Sequence, residues 1–157
     1  MTVDDIRKLR TRRRLLQAGG ALAIVPWRSV RAAANDLPDI PALSAFLAGR
    51  SPRTERVHLV LPQLADNGFV VPMKVRVDGP FAPGARVSAI HLFSEANPVP
   101  EMAIFEFPVL VERIEVESRV RLATTQRVVA VAVMSDGALY SAVAEVIVTL
   151  AGCMDGT

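Results

Sequence analysis

Hydrophobic residues between positions 57 and 150 occur in short runs that are separated by turn residues. In Val71–Val77 apolar side chains occupy every second position, and in Ile114–Leu122 charged residues alternate with apolar residues and Ser118. A period of two is typical of a β-strand with one face in solvent. Val128–Met134 is almost entirely apolar and rich in β-branched residues, which predicts a central strand buried on both faces.

The same reasoning identifies four further strand candidates: Val57–Leu61, Val87–Phe93, Met102–Phe107 and Leu139–Leu150. Ahead of them, Ala42–Leu47 is long enough for a helix of about two turns, and Gly49 is a stop signal near its end. Seven short strands with frequent turns predict an all-β protein. We expect an immunoglobulin-like antiparallel β-sandwich with a short N-terminal helix and a flexible C-terminal arm.

The first 34 residues have the three parts of an export signal. Arg12, Arg13 and Arg14 close a basic segment, a short apolar run follows, and Ala32–Ala34 is a small-residue cleavage site. Paired arginines before two leucines are typical of the bacterial twin-arginine route. The alternative is an amphipathic helix that stays in the protein. The apolar run is about half the roughly 20 residues that span a bilayer, so we expect no permanent membrane anchor.

Composition narrows the classes of protein further. The 157 residues are 51% hydrophobic and 22% charged, which excludes a disordered chain, and a single cysteine excludes a disulfide scaffold. Cleavage after Ala34 leaves 10 basic and 14 acidic side chains, a net charge of −4. Because a nucleic-acid binder needs a clustered basic face, the sequence argues against a nucleic-acid partner.

Candidate catalytic residues are few. His58 and His91 fall in separate predicted strands, and the sequence has no Cys, His and Asp cluster with ligand spacing, so we predict no metal site and no cofactor. Glu112, Glu115 and Glu117 resemble a paired-carboxylate site, but the last two alternate with apolar residues and are interpreted as the wet face of a strand.

Cys153 is the exception, because it lies four residues from the end of the sequence, after the last predicted strand. A short tail of small residues has little to hold it against a sheet, so we expect the thiol to be exposed. An unpaired cysteine in an exported protein is a candidate reactive thiol. An incidental tail residue is the alternative that the residues alone leave open.

Several segments, in this order, resemble the SoxY family over about residues 55–153. They are Asp66-Asn67-Gly68 with Val71-Pro72, Ala89-Ile90-His91-Leu92, Glu95-Ala96-Asn97-Pro98-Val99-Pro100, Ser118 through Gln126, Val128 through Ala132, Asp136-Gly137, Glu145-Val146 and Val148-Thr149-Leu150-Ala151-Gly152-Cys153. The resemblance divides the chain into a cleaved signal (1–34), a linker with a short helix (35–56), a SoxY-like sandwich (57–150) and a cysteine-bearing arm (151–157).

The resemblance implies a carrier and not an enzyme. In this family the near-terminal cysteine lies on a swinging arm and holds sulfur intermediates covalently during oxidation of thiosulfate or related compounds. Cys153 takes that position here, and Ala151, Gly152, Met154, Asp155 and Gly156 form the arm. The implied partners are a SoxZ-like subunit and separate periplasmic enzymes, namely a loading cytochrome, a sulfate-releasing hydrolase and a sulfur dehydrogenase.

The arm departs from the family's usual Gly-Gly-Cys-Gly-Gly ending. Ala151 and Met154 stiffen and thicken it, since glycine alone has full backbone freedom. Asp155 places a negative charge near the thiol, which disfavours the thiolate and repels anions. A second hypothesis therefore stays open, in which the sandwich is a binding or assembly module of another periplasmic pathway, such as a quinoprotein dehydrogenase system, without a functional thiol.

Overall fold

A computed structural model describes residues 37–111 and 113–151 of the chain. They form one helix and eight strands: α1 (Pro41–Leu47), β1 (Val57–Val60), β2 (Leu64–Ala65), β3 (Val71–Val77), β4 (Val87–Ser94), β5 (Glu101–Glu106), β6 (Ile114–Val120), β7 (Gln126–Met134) and β8 (Leu139–Val148). Among the described residues no helix has the length and apolar character needed to cross a bilayer.

The strands form two sheets. One has three strands in the order β1-β3-β6, and the other has five in the order β2-β8-β7-β4-β5. Neighbouring strands are antiparallel except β2 and β8, which pair in parallel. The predicted all-β sandwich is confirmed, with the difference that this one pair is parallel.

The main core lies between the two sheets and follows the period of two. Val71, Met73, Val75 and Val77 of β3 are all buried, whereas the residues between them are not. On the facing sheet β7 contributes every second residue from Val128 to Met134 to the same core. The alternation recognised in the sequence therefore sets which face of each strand is covered.

A second apolar cluster lies on the outer face of the five-stranded sheet, where α1 covers it. Leu43 and Leu47 of the helix pack with Phe93 of β4 and with Val129 and Val131 of β7. As predicted, β7 is buried on both faces. Pro41 occupies the first helical turn, where its missing N–H costs nothing, and the left-handed residue that ends the helix is Ala48 (φ 49°), one position before Gly49.

The structure differs from the sequence prediction mainly at strand ends. β6 ends at Val120 and β8 at Val148, each two residues earlier than predicted. β2 was not predicted, because two residues between Pro62 and the Asp66-Asn67-Gly68 turn are too few for a hydrophobic period. Its pairing with Ile147 and Val148 depends on contacts with a strand some 80 residues away, which local pattern does not encode.

Candidate functional site

The predicted carrier residue and most of its arm fall outside the described residues. Cys153, Gly152, Met154, Asp155 and Gly156 lie there, as do Arg12, Arg13 and Arg14 of the predicted signal and Glu112. Ala151 is described and is exposed. The structure therefore bears on the part of the protein from which the arm extends, and the role of Cys153 stays a prediction.

The chain is held by backbone hydrogen bonds up to Leu150. The Leu150 carbonyl accepts a hydrogen bond from the Gly68 N–H at 2.8 Å. Thr149 is bound twice, because its N–H donates to the Ala65 carbonyl (3.1 Å) and its hydroxyl to the Asp66 carbonyl (2.9 Å). The end of β2 and the loop after it thus hold Thr149 and Leu150 in place. Cys153 follows Leu150 by three residues.

A second loop is joined to this anchor through Leu122. The Leu122 N–H donates to the Gly68 carbonyl at 2.8 Å, and the Thr125 hydroxyl accepts from the Val148 N–H at 3.0 Å. Gly68 therefore bonds to both neighbouring segments, with its N–H to Leu150 and its carbonyl to Leu122. The loop after β6 and the end of β8 are held together by these contacts.

A buried amide network fixes the third loop. Gln126 is only 4% exposed, yet all its polar atoms are used. Its Nε2 donates to Asn97 Oδ1 (2.9 Å) and to the Thr124 carbonyl (3.1 Å), and its Oε1 accepts from the Ala96 N–H (2.9 Å). Asn97 also donates to the Arg121 carbonyl (2.8 Å) and accepts from the Ala123 N–H (2.9 Å). Because each buried polar group has a partner, the network costs little to bury.

These contacts gather four segments at one end of the sandwich, which we name the Leu150 end: residues 66–70, 95–100, 121–125 and 149–151. Each includes or adjoins a stretch on which the family resemblance rests. Asn97 and Gln126 belong to segments that carry the family resemblance, but the sequence alone predicts no role for either residue. Their separation of 29 positions hides the contact, so no local signal identifies it.

One ion pair flanks the network. Arg127 donates from Nη2 to Glu95 Oε1 (2.8 Å) and from Nε to Glu95 Oε2 (3.1 Å), and its backbone N–H also reaches Oε2 (3.2 Å). The side-chain hydrogen bond from Arg127 is the main reason that the pKa of Glu95 is lowered from its ordinary value of 4.5. The pair joins the loop after β4 to the second residue of β7.

The Leu150 end also carries exposed apolar surface. Phe69 and Val70 follow Gly68, Val99 lies in the loop after β4, and Leu150 itself is 64% exposed. Separately, the outer face of the three-stranded sheet has an open groove of about 860 Å³, whose lining includes Val60, Pro62, Pro72, Lys74, Glu117 and Arg119.

The other candidate residues are dispersed. His58 lies on the three-stranded sheet, 2.9 Å from Asp78, whereas His91 lies on the five-stranded sheet, 2.8 Å from Glu101 and against the Phe46 ring. Glu115 and Glu117 both form ion pairs with Lys74, which raises the pKa of Lys74 and lowers that of Glu117. Within residues 37–111 and 113–151, no group of three His, Cys, Asp or Glu side chains could hold a metal ion.

Comparison with protein families supports the resemblance. Residues 43–153 match the model of the family described as sulfur oxidation protein SoxY, a span that ends on Cys153. The chain belongs to the SoxY family. A search of curated proteins returned no match.

Solved structures agree with this membership. The sulfur carrier protein SoxY from Chlorobium limicola f thiosulfatophilum is 34% identical, with a TM-score of 0.55 over 70% of this chain and 94% of that one. A superoxide reductase (neelaredoxin) from Ignicoccus hospitalis has a TM-score of 0.52 over 65% of this chain and 85% of its own, at 16% identity. The second likeness shows the fold alone.

Proposed function

We propose that this SoxY-family chain is a periplasmic sulfur carrier that holds sulfur intermediates on the Cys153 thiol and is acted on by separate enzymes. The observation that supports it best is the family match, which extends from residue 43 to Cys153, the one cysteine of the sequence. The anchoring of the chain at Leu150 agrees with this role. The hydrogen bonds of the described residues reach Leu150, which precedes Cys153 by three positions in the sequence.

The proposed reactions depend on partner proteins more than on the sandwich itself. Thiosulfate and the thiol condense to a cysteine S-thiosulfonate, and the step releases one proton and passes two electrons to a cytochrome partner. Addition of water by a hydrolase then releases sulfate and two protons, and leaves a persulfide anion on the cysteine. In both steps a partner supplies the oxidant or the active site, so this chain acts as a carrier and not as an enzyme.

Location and partner belong to the same proposal. The twin-arginine segment with Arg12, Arg13 and Arg14 directs the chain to the periplasm, where the implied loading cytochrome, hydrolase and sulfur dehydrogenase also act. A SoxZ-like subunit pairs with the sandwich, as the family resemblance implies. The exposed apolar residues of the Leu150 end suit contact with an enzyme that must receive the cysteine (Phe69, Val70, Val99 and Leu150).

The test is the intact mass of the protein purified from periplasm, before and after a thiol reductant. We expect wild type to carry sulfur-containing mass increments that the reductant removes, and Cys153→Ser to carry none. Far-UV circular dichroism and the thermal midpoint of Cys153→Ser should equal those of wild type, which separates loss of the thiol from loss of the fold.

An unmodified wild-type mass would contradict the carrier role if it persisted after exposure to thiosulfate, sulfide and the partner enzymes. The departures at Ala151, Met154 and Asp155 would then favour a binding or assembly module of another periplasmic pathway, such as a quinoprotein dehydrogenase system. In that case partner affinity would be equal for wild type and Cys153→Ser.

A further inference from the structure

A cleft opens at the end of the sandwich opposite the Leu150 end, where β3 ends and where β4 and β6 begin. Val77 pairs with Ile114 here, whereas Val71 pairs with Val120 at the Leu150 end. The cleft has a volume of about 560 Å³. This lies within the range of about 300–1,000 Å³ that small-molecule sites occupy.

The inner part of the cleft is apolar and belongs to the main core. Val77, Val87 and Ile114 line it and are at most 5% exposed. Phe81, from the loop between β3 and β4, also lines the cleft and packs half-buried against the same core. Because core side chains form this part, the fold itself fixes its shape.

The rim of the cleft carries a run of exposed apolar residues. Val109, Leu110 and Val111 follow one another after β5 and are 66%, 78% and 37% exposed, and the last two line the cleft. Three successive exposed apolar residues are unfavourable on a surface that binds nothing. A ligand in the cleft would remove Leu110 and Val111 from water, and the free-energy gain grows with the apolar area covered. The rim therefore favours a ligand with an apolar body.

The described charged residues that line the cleft are three arginines and one aspartate. Arg76 binds Asp78 through Nε (2.9 Å) and Nη2 (3.1 Å), and the same carboxylate lies 2.9 Å from Nε2 of His58. Arg113 binds Glu115 at 2.9 Å. Two of the three arginines thus have a carboxylate partner, and the aspartate is already bound.

The third arginine, Arg86, is held by its backbone and leaves its side chain available. Its N–H donates to Ser135 Oγ (3.1 Å), and its carbonyl accepts from the Ser135 N–H (2.8 Å). Within residues 37–111 and 113–151, its exposed guanidinium has no carboxylate or hydrogen-bond partner. A guanidinium offers five N–H donors and stays charged at every physiological pH, so Arg86 favours an anionic group in the cleft.

We propose that this cleft binds a small amphipathic anion, an organic carboxylate or sulfonate with a short apolar body. Its charged group lies at Arg86, and its body lies against Phe81, Leu110 and Val111. An inorganic anion would leave the apolar rim in water, and a neutral apolar molecule would leave Arg86 without a partner. The cleft lies at the end of the sandwich away from Leu150, so this site does not depend on the carrier function proposed above.

Titration calorimetry of the full chain at pH 7 with three probes tests the proposal. Octanoate has both an apolar chain and a carboxylate, 1-octanol has the chain without the charge, and acetate has the charge without the chain. We expect octanoate to bind about tenfold more tightly than 1-octanol, because a hydrogen bond to a charged group contributes that much. Acetate should show no binding, and Cys153→Ser should bind octanoate like wild type.

Two variants locate the ligand, each with a matched control from the Leu150 end. Arg86→Gln should weaken octanoate about tenfold and change the affinity for 1-octanol less than twofold. Leu110→Ser should weaken both probes about threefold to fivefold, since both use the apolar rim. Arg121→Gln and Val99→Ser each change an exposed residue of the same type and should keep wild-type affinities. Thermal midpoints of the four variants confirm that each is folded.

Every outcome decides for or against the site. Equal affinities for octanoate and 1-octanol, or an octanoate affinity that Arg86→Gln leaves unchanged, would overturn it. So would loss of binding in Val99→Ser with none in Leu110→Ser, because the ligand would then lie at the Leu150 end. Absence of octanoate binding would also overturn it and would leave the apolar run as a protein contact. Selective weakening in Arg86→Gln and Leu110→Ser supports it, whether or not Cys153 acquires sulfur.

Discussion

Gln126 is the residue on which the Leu150 end depends most directly. It is a buried amide with two donated hydrogen bonds and one accepted, and these join the loop after β4 to the segment that leads into β7, about 30 positions away. Asn97 extends the connection to Arg121 and Ala123. Loss of a hydrogen-bond partner lowers the free energy of unfolding far more when the remaining polar group is buried than when it lies at the surface.

We therefore predict that Gln126→Ala lowers the free energy of unfolding by about 2–3 kcal/mol, because it leaves the Ala96 N–H and Asn97 Oδ1 short of partners. Urea denaturation measures the change. Gln63→Ala is the matched control, since Gln63 is exposed and its side chain has no hydrogen bond among the described residues. An equal decrease in the free energy of unfolding in the two variants would show that the hydrogen-bond network does not stabilise the Leu150 end.

At the scale of elements, the ion pair between Glu95 and Arg127 joins the loop after β4 to β7. The lowered pKa of Glu95 means that the native protein holds the carboxylate more strongly than the unfolded chain does. The pair therefore contributes stability above the ordinary pKa of 4.5. The contribution is lost as pH falls below that value and through the lower native pKa.

For Glu95→Gln we predict a loss of at most about 1 kcal/mol at pH 7, because the pair is partly exposed and screened by solvent. The difference between the free energies of unfolding of wild type and Glu95→Gln should shrink as pH falls from 5 to 3. Urea denaturation across that range measures it. Glu106→Gln is the control, since Glu106 is an exposed residue of β5 without an ion pair in the described chain. A difference from wild type that is independent of pH would contradict the assignment.

Elements with a strong local period were predictable from sequence, and elements held by distant contacts were not. β3 and β7 follow directly from side-chain alternation and from the apolar run, since burial on one face or on both selects those residue types. α1 was recognised from a short apolar stretch ahead of the strands. β2 was missed because its two residues become a strand only through pairing with β8.

At the scale of the whole molecule, the sequence predicts Cys153 as the candidate carrier residue but does not predict the arrangement of the Leu150 end. Cys153 stands out because it is the sole cysteine and follows the last strand, and both properties are local. The contacts of Gln126 with Asn97, and of Leu122 and Leu150 with Gly68, depend on strand order. The topology brings the start of β3 and the ends of β4, β6 and β8 to one end of the sandwich.

That arrangement predicts that the stability of the fold does not depend on the residues after Ala151. In the described residues, the bonds that close the Leu150 end stop at Leu150, and three of them involve Thr149 or Leu150. A chain that ends at Ala151 keeps all three, so its free energy of unfolding should lie within about 0.5 kcal/mol of that of the full chain. A chain that ends at Val148 loses all three and should be about 2–3 kcal/mol less stable, at about 1 kcal/mol for each bond.

Urea denaturation measures the free energies of unfolding of the two shortened chains, and Cys153→Ser is measured in parallel. If the chain ending at Ala151 were as unstable as the one ending at Val148, residues 152–157 would contribute to the fold, and the thiol could not be moved without a cost in stability. If only the shorter chain is destabilised, the anchor lies at Thr149 and Leu150. Cys153 could then be modified or replaced while the sandwich stays folded, as the proposed carrier role requires.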